Sequence, residues 1–425
     1  MRRRDFLRRS AAVLAGSAAM PGWLPSRARA QASRSKLKVG FIGTGGRARQ
    51  LMHGEKLEDH ADIVAVADCW LKRMEEAAGM IPGGDRWVRY QDYRRMLEKE
   101  KLDAVFVATT THARARICIH AMQAGLDVYA EKPVSLTVEE GRALVRAARK
   151  LRRVLQVGTQ QRSIPINVWA SRLVREGGIG SVREVIACNF IGPEVWSPQP
   201  GQPVPEGLDW DAWCNQTELR PYHRDLHLEW ARWKDYDAGG RSWGVSGWGT
   251  HALDQVQCAL GTDDTGPVEI WPEEPGPQGR VTMRYANGVL LKCHRPKPPP
   301  DRKDYRDLGA EFIGDRGRID IQRGHCVAEP AELLKDAPPD TPAPAPGETV
   351  EHIRNFFECI AGRGRPNADI EIAHRATTVC ALINICRDLG RRLRWDPAAE
   401  RFVDDPEADA MLSRPRRKGY ELPEV

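Results

Sequence analysis

An apolar run, Leu37 to Ile42, passes without a break into Gly43-Thr44-Gly45-Gly46-Arg47-Ala48. A strand that ends in Gly-x-Gly-x-x-Ala and turns straight into a helix opens a βαβ unit, which restricts the chain to a small set of folds. The glycines permit the tight turn and let a pyrophosphate approach the amides of the helix N-terminus, where the dipole favours negative charge. A second run ends in Val66-Ala67-Asp68, about 25 positions on, where a carboxylate accepts hydrogen bonds from an adenine ribose and repels a 2′-phosphate. Gly43, Gly45, Gly46, Arg47, Ala48 and Asp68 are therefore expected to hold a dinucleotide. NAD is favoured, with NADP left open by the nearby Lys72 and Arg73.

The pattern then keeps alternating. Strand-like runs at Ile63 to Ala67, Ala104 to Ala108, Val128 to Ala130 and Val154 to Val157 are separated by segments of helical spacing at Tyr93 to Glu100, Ala113 to Ala124 and Val138 to Lys150. Strict alternation means a parallel sheet with helices on both faces. After Gly158 the texture changes. Val281 to Tyr285 and Val289 to His294 flank an Asn-Gly turn, and Ala310 to Ile313 and Arg318 to Ile321 flank Gly314 to Gly317, so hairpins are expected. A Pro-rich spacer, Pro338 to Pro346, precedes helices expected over Thr349 to Ile360 and Ile370 to Leu393. The fold class is thus α/β: an N-terminal Rossmann parallel sheet over 36–157, then an α+β domain over 158–395 with a mostly antiparallel sheet. The second domain carries a long insertion, 192–244, and a tail, 396–425, follows. The second domain is expected to bind substrate and to join copies of the chain into a homo-oligomer through its sheet.

Charge excludes one class of partner. The formal net charge is +6, and residues 1–30 account for it with seven Arg and one Asp; the remaining 57 basic and 57 acidic residues cancel. A balanced chain lacks the single-sign field that draws in nucleic acid. The N-terminal segment itself carries Arg3-Arg4-Asp5-Phe6-Leu7, a small apolar run from Ala11 to Met20, and Ala28-Arg29-Ala30. In that order these features make a twin-arginine export signal over 1–30, with an Ala-x-Ala cleavage site, so a periplasmic or otherwise exported product is expected. No later run is long and apolar enough to span a bilayer. The ten Cys lie singly in apolar runs such as Thr378-Val379-Cys380-Ala381-Leu382, without CxxC spacing, and read as buried small hydrophobes.

Two further segments, Val107-Ala108-Thr109-Thr110-Thr111-His112 and Ala130-Glu131-Lys132-Pro133, each at a strand end, resemble the glucose–fructose oxidoreductase, inositol 2-dehydrogenase and rhizopine-catabolism (Gfo/Idh/MocA) family. The resemblance runs from about Lys36 to Trp395, and Glu-Lys-Pro is its most specific mark. It implies that Thr109, His112 and Glu131 face the cofactor, that Lys132 meets both cofactor and substrate hydroxyl, and that the bond before Pro133 is cis. It also makes Thr159, Gln160 and Arg162, in Gly158-Thr159-Gln160-Gln161-Arg162, candidate contacts near the nicotinamide and substrate. His251, in Gly247-Trp248-Gly249-Thr250-His251-Ala252-Leu253-Asp254, matches a family general base, and imidazole suits proton abstraction near neutral pH. Family dehydrogenases usually carry an Asp four residues before that His. Here the position is Gly247, which leaves Asp254 or a residue of the insertion to replace it.

The resemblance therefore implies an NAD(P)-dependent oxidoreductase of CH–OH groups, with Lys132 and His251 catalytic and a sugar, cyclitol or glycoside as substrate. The insertion holds Arg220-Pro221-Tyr222-His223-Arg224 amid many tryptophans, so Tyr222, His223 and Trp248 join Arg162 and Asp254 as candidate substrate contacts; packing of a long loop explains the same aromatics. His223 and His227 have metal-ligand spacing but no third ligand, and no metal is expected. Gly240-Arg241-Ser242-Trp243-Gly244 matches a nucleophile elbow by letter, yet no apolar strand precedes it. Two rivals stay open: a redox-neutral enzyme that cleaves glycosides by oxidation, elimination, hydration and reduction, and a cofactor-bearing binding protein without turnover.

Overall fold

The computed structural model describes residues 36–296, 308–341 and 349–425. The expected export signal lies outside them, as do the last residues of the Pro-rich spacer. β1 (Leu37–Ile42), α1 (Gly46–Gly54), β2 (Ala61–Ala67), α2 (Leu71–Met80), β3 (Val88–Tyr90) and α3 (Tyr93–Lys99) form one half of the first domain. β4 (Ala104–Val107), α4 (Thr111–Gln123), β5 (Asp127–Ala130), α5 (Val138–Lys150) and β6 (Leu155–Val157) form the other. The six strands are parallel in the order β3-β2-β1-β4-β5-β6. Strand order reverses at β1, which opens a crevice at the C-terminal ends of β1 and β4. β3, only three residues long and largely exposed, had no sequence signal.

The second domain runs α6 (Pro165–Arg175), β7 (Val182–Cys188), α7 (Trp210–Cys214), α8 (Arg224–Leu228) and α9 (Trp248–Leu260). There follow β8 (Pro267–Pro272), β9 (Val281–Tyr285), β10 (Leu290–Arg295), β11 (Ala310–Gly314), β12 (Arg318–Gln322) and β13 (His325–Glu329). α10 (Val350–Gly362), α11 (Ile370–Leu389), β14 (Leu393–Asp396), β15 (Arg401–Phe402) and α12 (Pro406–Ala410) finish the chain. Nine strands make one sheet in the order β13-β12-β11-β7-β10-β9-β8-β14-β15, antiparallel except where β7 runs parallel to β10. α11 stops at Gly390, which takes the left-handed conformation glycine tolerates, so the expected helix to Leu393 ends early and Leu393 begins a strand against β8.

Packing, more than chain order, decides where the parts belong. Phe41, Phe106 and Tyr129 stack across β1, β4 and β5 with ring centroids 4.8 and 5.1 Å apart, and Phe356 of α10 meets Phe106 edge-on at 5.7 Å. A late helix thus seals one face of the first sheet, and the Val157 amide donates to the Ala368 carbonyl at 2.9 Å. The expected tail is a strap rather than a free end. Arg414 donates to the carbonyls of His112 (3.1 Å) and Asp235 (2.8 Å), while Arg417 donates to the Asn215 carbonyl at 2.9 and 3.1 Å. Among the described residues no helix is long and apolar enough to cross a membrane, and no group of three His, Cys, Asp or Glu is placed to hold a metal.

Candidate active site

A cavity of about 1270 Å³ lies along the crest of the first sheet and is lined on its far side by residues of the second domain. At its floor, Gly43 adopts φ +84°, and a Cβ there would stand 2.8 Å from the Ala108 carbonyl oxygen, so the β1–α1 turn admits only glycine. Gly45 and Gly46 face open space, with nothing within 4 Å of where a Cβ would point. Asp68 closes the turn from β2: its Oδ2 accepts from the Thr44 amide (2.8 Å) and hydroxyl (3.0 Å), and its Oδ1 from the Trp70 amide (3.0 Å). Burial raises the Asp68 carboxyl above its ordinary range, opposed by those donors.

The strand ends of β4 and β5 bring the charges. Arg47 Nε pairs with Glu131 Oε1 at 2.8 Å. Burial opposes the Glu131 charge, yet Arg47, Lys132 and Arg114 outweigh it and hold the carboxyl below its usual value. The peptide bond between Lys132 and Pro133 is cis, as the resemblance implied, and buried Arg114 donates to the carbonyls of Pro133 and Thr109, tying the two loops together. Lys132 Nζ donates to the Gly247 carbonyl, across the cleft in the second domain, at 3.1 Å. Burial lowers Lys132 to about 8, against the pull of Glu131 and Asp237.

His251 sits in the first turn of α9 and lines the same cavity. It is 5% exposed, and its Nδ1 has no partner among the described residues. Burial, reinforced by Arg323 and Lys132, holds it well below the ordinary histidine value, so it is neutral at neutral pH. Gly247 has a packing reason. A Cβ there would stand 2.0 Å from the Arg241 carbonyl oxygen, so this backbone has no room for an aspartate.

Of the expected cofactor contacts, Gly43, Gly45, Gly46, Arg47, Asp68, Thr109, Glu131, Lys132 and Gln160 line the cavity. Ala48 and His112 do not. Ala48 is buried beneath the turn, and His112 is buried with Nε2 against the Trp213 carbonyl at 2.8 Å, so it anchors the insertion to α4. The expected substrate contacts lie elsewhere altogether. Arg162 is locked to Asp254 (2.8 Å) and Asp263 (2.6 Å), so neither Arg162 nor Asp254 reaches the cleft, and Asp254 does not replace the missing aspartate. Tyr222 belongs to a core of the insertion with Trp210, Trp213 and Tyr236. His223 caps α8 by accepting from the Asp225 amide at 3.2 Å. Trp248 packs on Trp243 with centroids 4.4 Å apart. The sequence reading missed Asp237 and Arg323, which do line the cavity. Asp237 follows Asp235-Tyr236 and precedes Gly239-Gly240, the one local hint of a constrained acidic turn; Arg323 lies in a short β12–β13 connection with no motif.

Two models of the Gfo/Idh/MocA group match the chain: "Oxidoreductase family, NAD-binding Rossmann fold" over residues 37–159, and "Oxidoreductase family, C-terminal alpha/beta domain" over 192–422. The D-apiose dehydrogenase of Paraburkholderia graminis is 34% identical over 146 residues, covering 34% of this chain and 38% of that protein. The levoglucosan dehydrogenase of Pseudarthrobacter phenanthrenivorans is 30% identical over 257 residues, covering 54% of this chain and 57% of that protein. The chain therefore spans less than two thirds of these relatives. The crystal structure of the WlbA dehydrogenase from Bordetella pertussis, in complex with NADH and UDP-GlcNAcA, shares the fold with a TM-score of 0.63 at 15% identity, covering 85% of this chain and 98% of that one.

Proposed function

Because the chain belongs to the Gfo/Idh/MocA family of NAD-binding oxidoreductases, we propose that it moves a hydride between a hydroxyl-bearing carbon of a sugar, cyclitol or glycoside and a nicotinamide dinucleotide. One observation carries this reading: Lys132 from the first domain and His251 from the second line a single cavity with the glycine turn. The cleft suits a dinucleotide on its own geometry, with open space above Gly45 and Gly46 and, on the His251 that lines it, a buried ring nitrogen without a partner among the described residues. Gly43 to Arg47 would hold the pyrophosphate, Asp68 the adenine ribose, and Glu131 the nicotinamide side. The nicotinamide, when bound, supplies the hydride acceptor.

The protein's own groups then manage the proton. Neutral His251 accepts it from the substrate hydroxyl, and the Lys132 ammonium, anchored on the Gly247 carbonyl, stabilises developing alkoxide character. The test is a panel of cyclitols, aldoses and glycosides followed at 340 nm with product analysis. Substrate-dependent absorbance supports the dehydrogenase. Glycoside cleavage without net NADH replaces it with the redox-neutral cycle, and ligand binding without turnover reduces the protein to a binder.

Export through the twin-arginine route and retention of the cofactor belong to the same reading. Outside the cytoplasm a released NADH would not be recycled, so the cofactor must be loaded before export, held tightly, and returned to its starting oxidation state in each cycle. The insertion supports retention. It crosses the end of β2, where the Leu71 amide donates to the Gly207 carbonyl (3.0 Å) and the Asp209 amide to the Cys69 carbonyl (2.9 Å). Mature protein should keep stoichiometric nicotinamide through gel filtration and turn over without added cofactor. Cofactor-free periplasmic protein that needs a steady supply of NAD would overturn the retention, and protein found only in the cytoplasm would overturn the export.

A further inference from the structure

The far wall of the cleft holds a carboxylate that no motif announces. Asp237 is 0% exposed and lines the same cavity as Lys132 and His251. It is held from both domains: Oδ2 accepts from the Thr111 hydroxyl at the start of α4, and Oδ1 accepts from the Ser246 hydroxyl. Ser246 directly precedes Gly247, whose carbonyl receives the Lys132 ammonium. Among the described residues Asp237 makes no ion pair closer than 4 Å, so the two hydroxyls fix its position. The Gly239-Gly240 turn is fitted around it, since a Cβ at Gly240 would stand 2.6 Å from Asp237 Oδ1.

We propose that Asp237 is the positioning carboxylate of this site, holding Lys132 charged and in place beside the Gly247 carbonyl, where the backbone leaves no room for an aspartate at 247 itself. The proposal rests on the reading of Lys132 as a group that handles the proton. The charges facing Lys132 are its neighbour Glu131, Arg47 of α1, His251 of α9, Arg323 of the β12–β13 turn, and Asp237 of the insertion. Glu131 is already matched by Arg47 at 2.8 Å. Asp237 is therefore the remaining carboxylate that faces the ammonium; burial raises its carboxyl above the usual range, and the Ser246 and Thr111 hydroxyls with the cations Arg114 and Lys132 oppose that rise. In a desolvated cleft a facing opposite charge favours the protonated amine.

Competitive trace acetylation of the intact protein, read by peptide mass spectrometry against pH, gives the midpoint of Lys132 without any substrate. In Asp237→Asn the midpoint should fall by roughly one pH unit, while melting changes little because the amide still bonds to Thr111 and Ser246. Thr111→Val, which keeps the carboxylate, should leave the midpoint near its native value. An unmoved midpoint in Asp237→Asn overturns the proposal, and so does an equal fall in Thr111→Val, which would mark a merely structural disturbance. If Asp237→Asn does not fold, Asp237→Ser is titrated in its place with the same expected fall. Where a substrate is found, the alkaline limb of kcat should move down with the midpoint. A lowered midpoint with no activity on any sugar would sink the dehydrogenase reading and leave this one standing.

Discussion

The two walls of the cleft are built differently. On the first, the motif residues stand within a few positions of a parallel strand's C-terminal end, so topology alone delivers Gly43, Asp68, Thr109 and Lys132 to one crest. On the second, Asp237, His251 and Arg323 come from an insertion, a helix start and a hairpin turn. Only the packing of remote segments brings them together. Chemistry on a strand crest is therefore readable one motif at a time, whereas chemistry assembled by packing is visible only once the segments have met.

Lys132→Ala should break the comparison most sharply, because Lys132 reaches from the first wall to the Gly247 carbonyl of the second. Hydride transfer should fall by about 10²–10⁴-fold, the usual contribution of an acid/base or electrostatic group, with melting temperature and cofactor binding nearly unchanged. Full activity would remove Lys132 from the mechanism, and a large loss of melting temperature would make it structural. The native pH profile has a definite sign. Activity that needs the ammonium declines as pH rises through about 8, where Lys132 loses its proton. On the acid side it holds until His251 protonates, well below the ordinary histidine value.

Arg162→Met should do the opposite. Arg162 and Asp254 are 6% and 1% exposed at the side chain and bonded to each other, so the variant leaves a carboxylate buried without its cation. Breaking such a pair costs about 3–5 kcal/mol. Chemical denaturation should show that loss, while the folded fraction keeps its kcat and KM. A KM rise without destabilisation would return Arg162 to the substrate site.

What the sequence disclosed follows the same division. The β1–α1 turn, the Glu-Lys-Pro strand end and the hairpin Val281–Tyr285 with its Asn-Gly partner strand all rest on spacing within a dozen residues, and they stand where expected. Tyr222, His223 and Trp248 went astray because aromatic and basic side chains have the same composition whether they stack on a sugar or fill the core of a long loop; here Trp210 and Trp213 stack on each other at 4.5 Å and leave no ring face between them. Arg162 misled because nearness in sequence to a strand end does not fix which side of a 3₁₀ turn a side chain leaves by. Asp237 was illegible since its partners, Thr111 and Ser246, belong to different domains.

Within the first wall the glycines sharpen the picture further. Gly43→Ala forces a left-handed residue against the Ala108 carbonyl and should cost about 1–3 kcal/mol of stability along with cofactor affinity. Gly45→Ala meets nothing within 4 Å in the protein, so it should leave stability alone and weaken only the ligand that approaches the turn. Equal melting temperatures for the two variants, measured without cofactor, would refute this split between a fold glycine and a ligand glycine.

The smallest effect is expected at Asp68, where the structure adds a second duty to the one read from sequence. Its carboxylate accepts three hydrogen bonds from Thr44 and Trp70, so it braces the glycine turn as well as presenting charge to the adenine ribose. Alanine would remove both roles at once and could not tell them apart. Asparagine does, because its carbonyl can still accept from Thr44 while the charge that repels a 2′-phosphate is gone. If charge sets the preference, Asp68→Asn should gain about tenfold in NADP affinity, ~1.4 kcal/mol, with NAD affinity within a few-fold of native. If bracing is the whole role, both affinities should stay as they were, and only Asp68→Ala should weaken them together. Titration of NAD and NADP into the three proteins by fluorescence decides between these outcomes, and a native protein that already binds NADP more tightly would overturn the assignment of Asp68 as the discriminating residue.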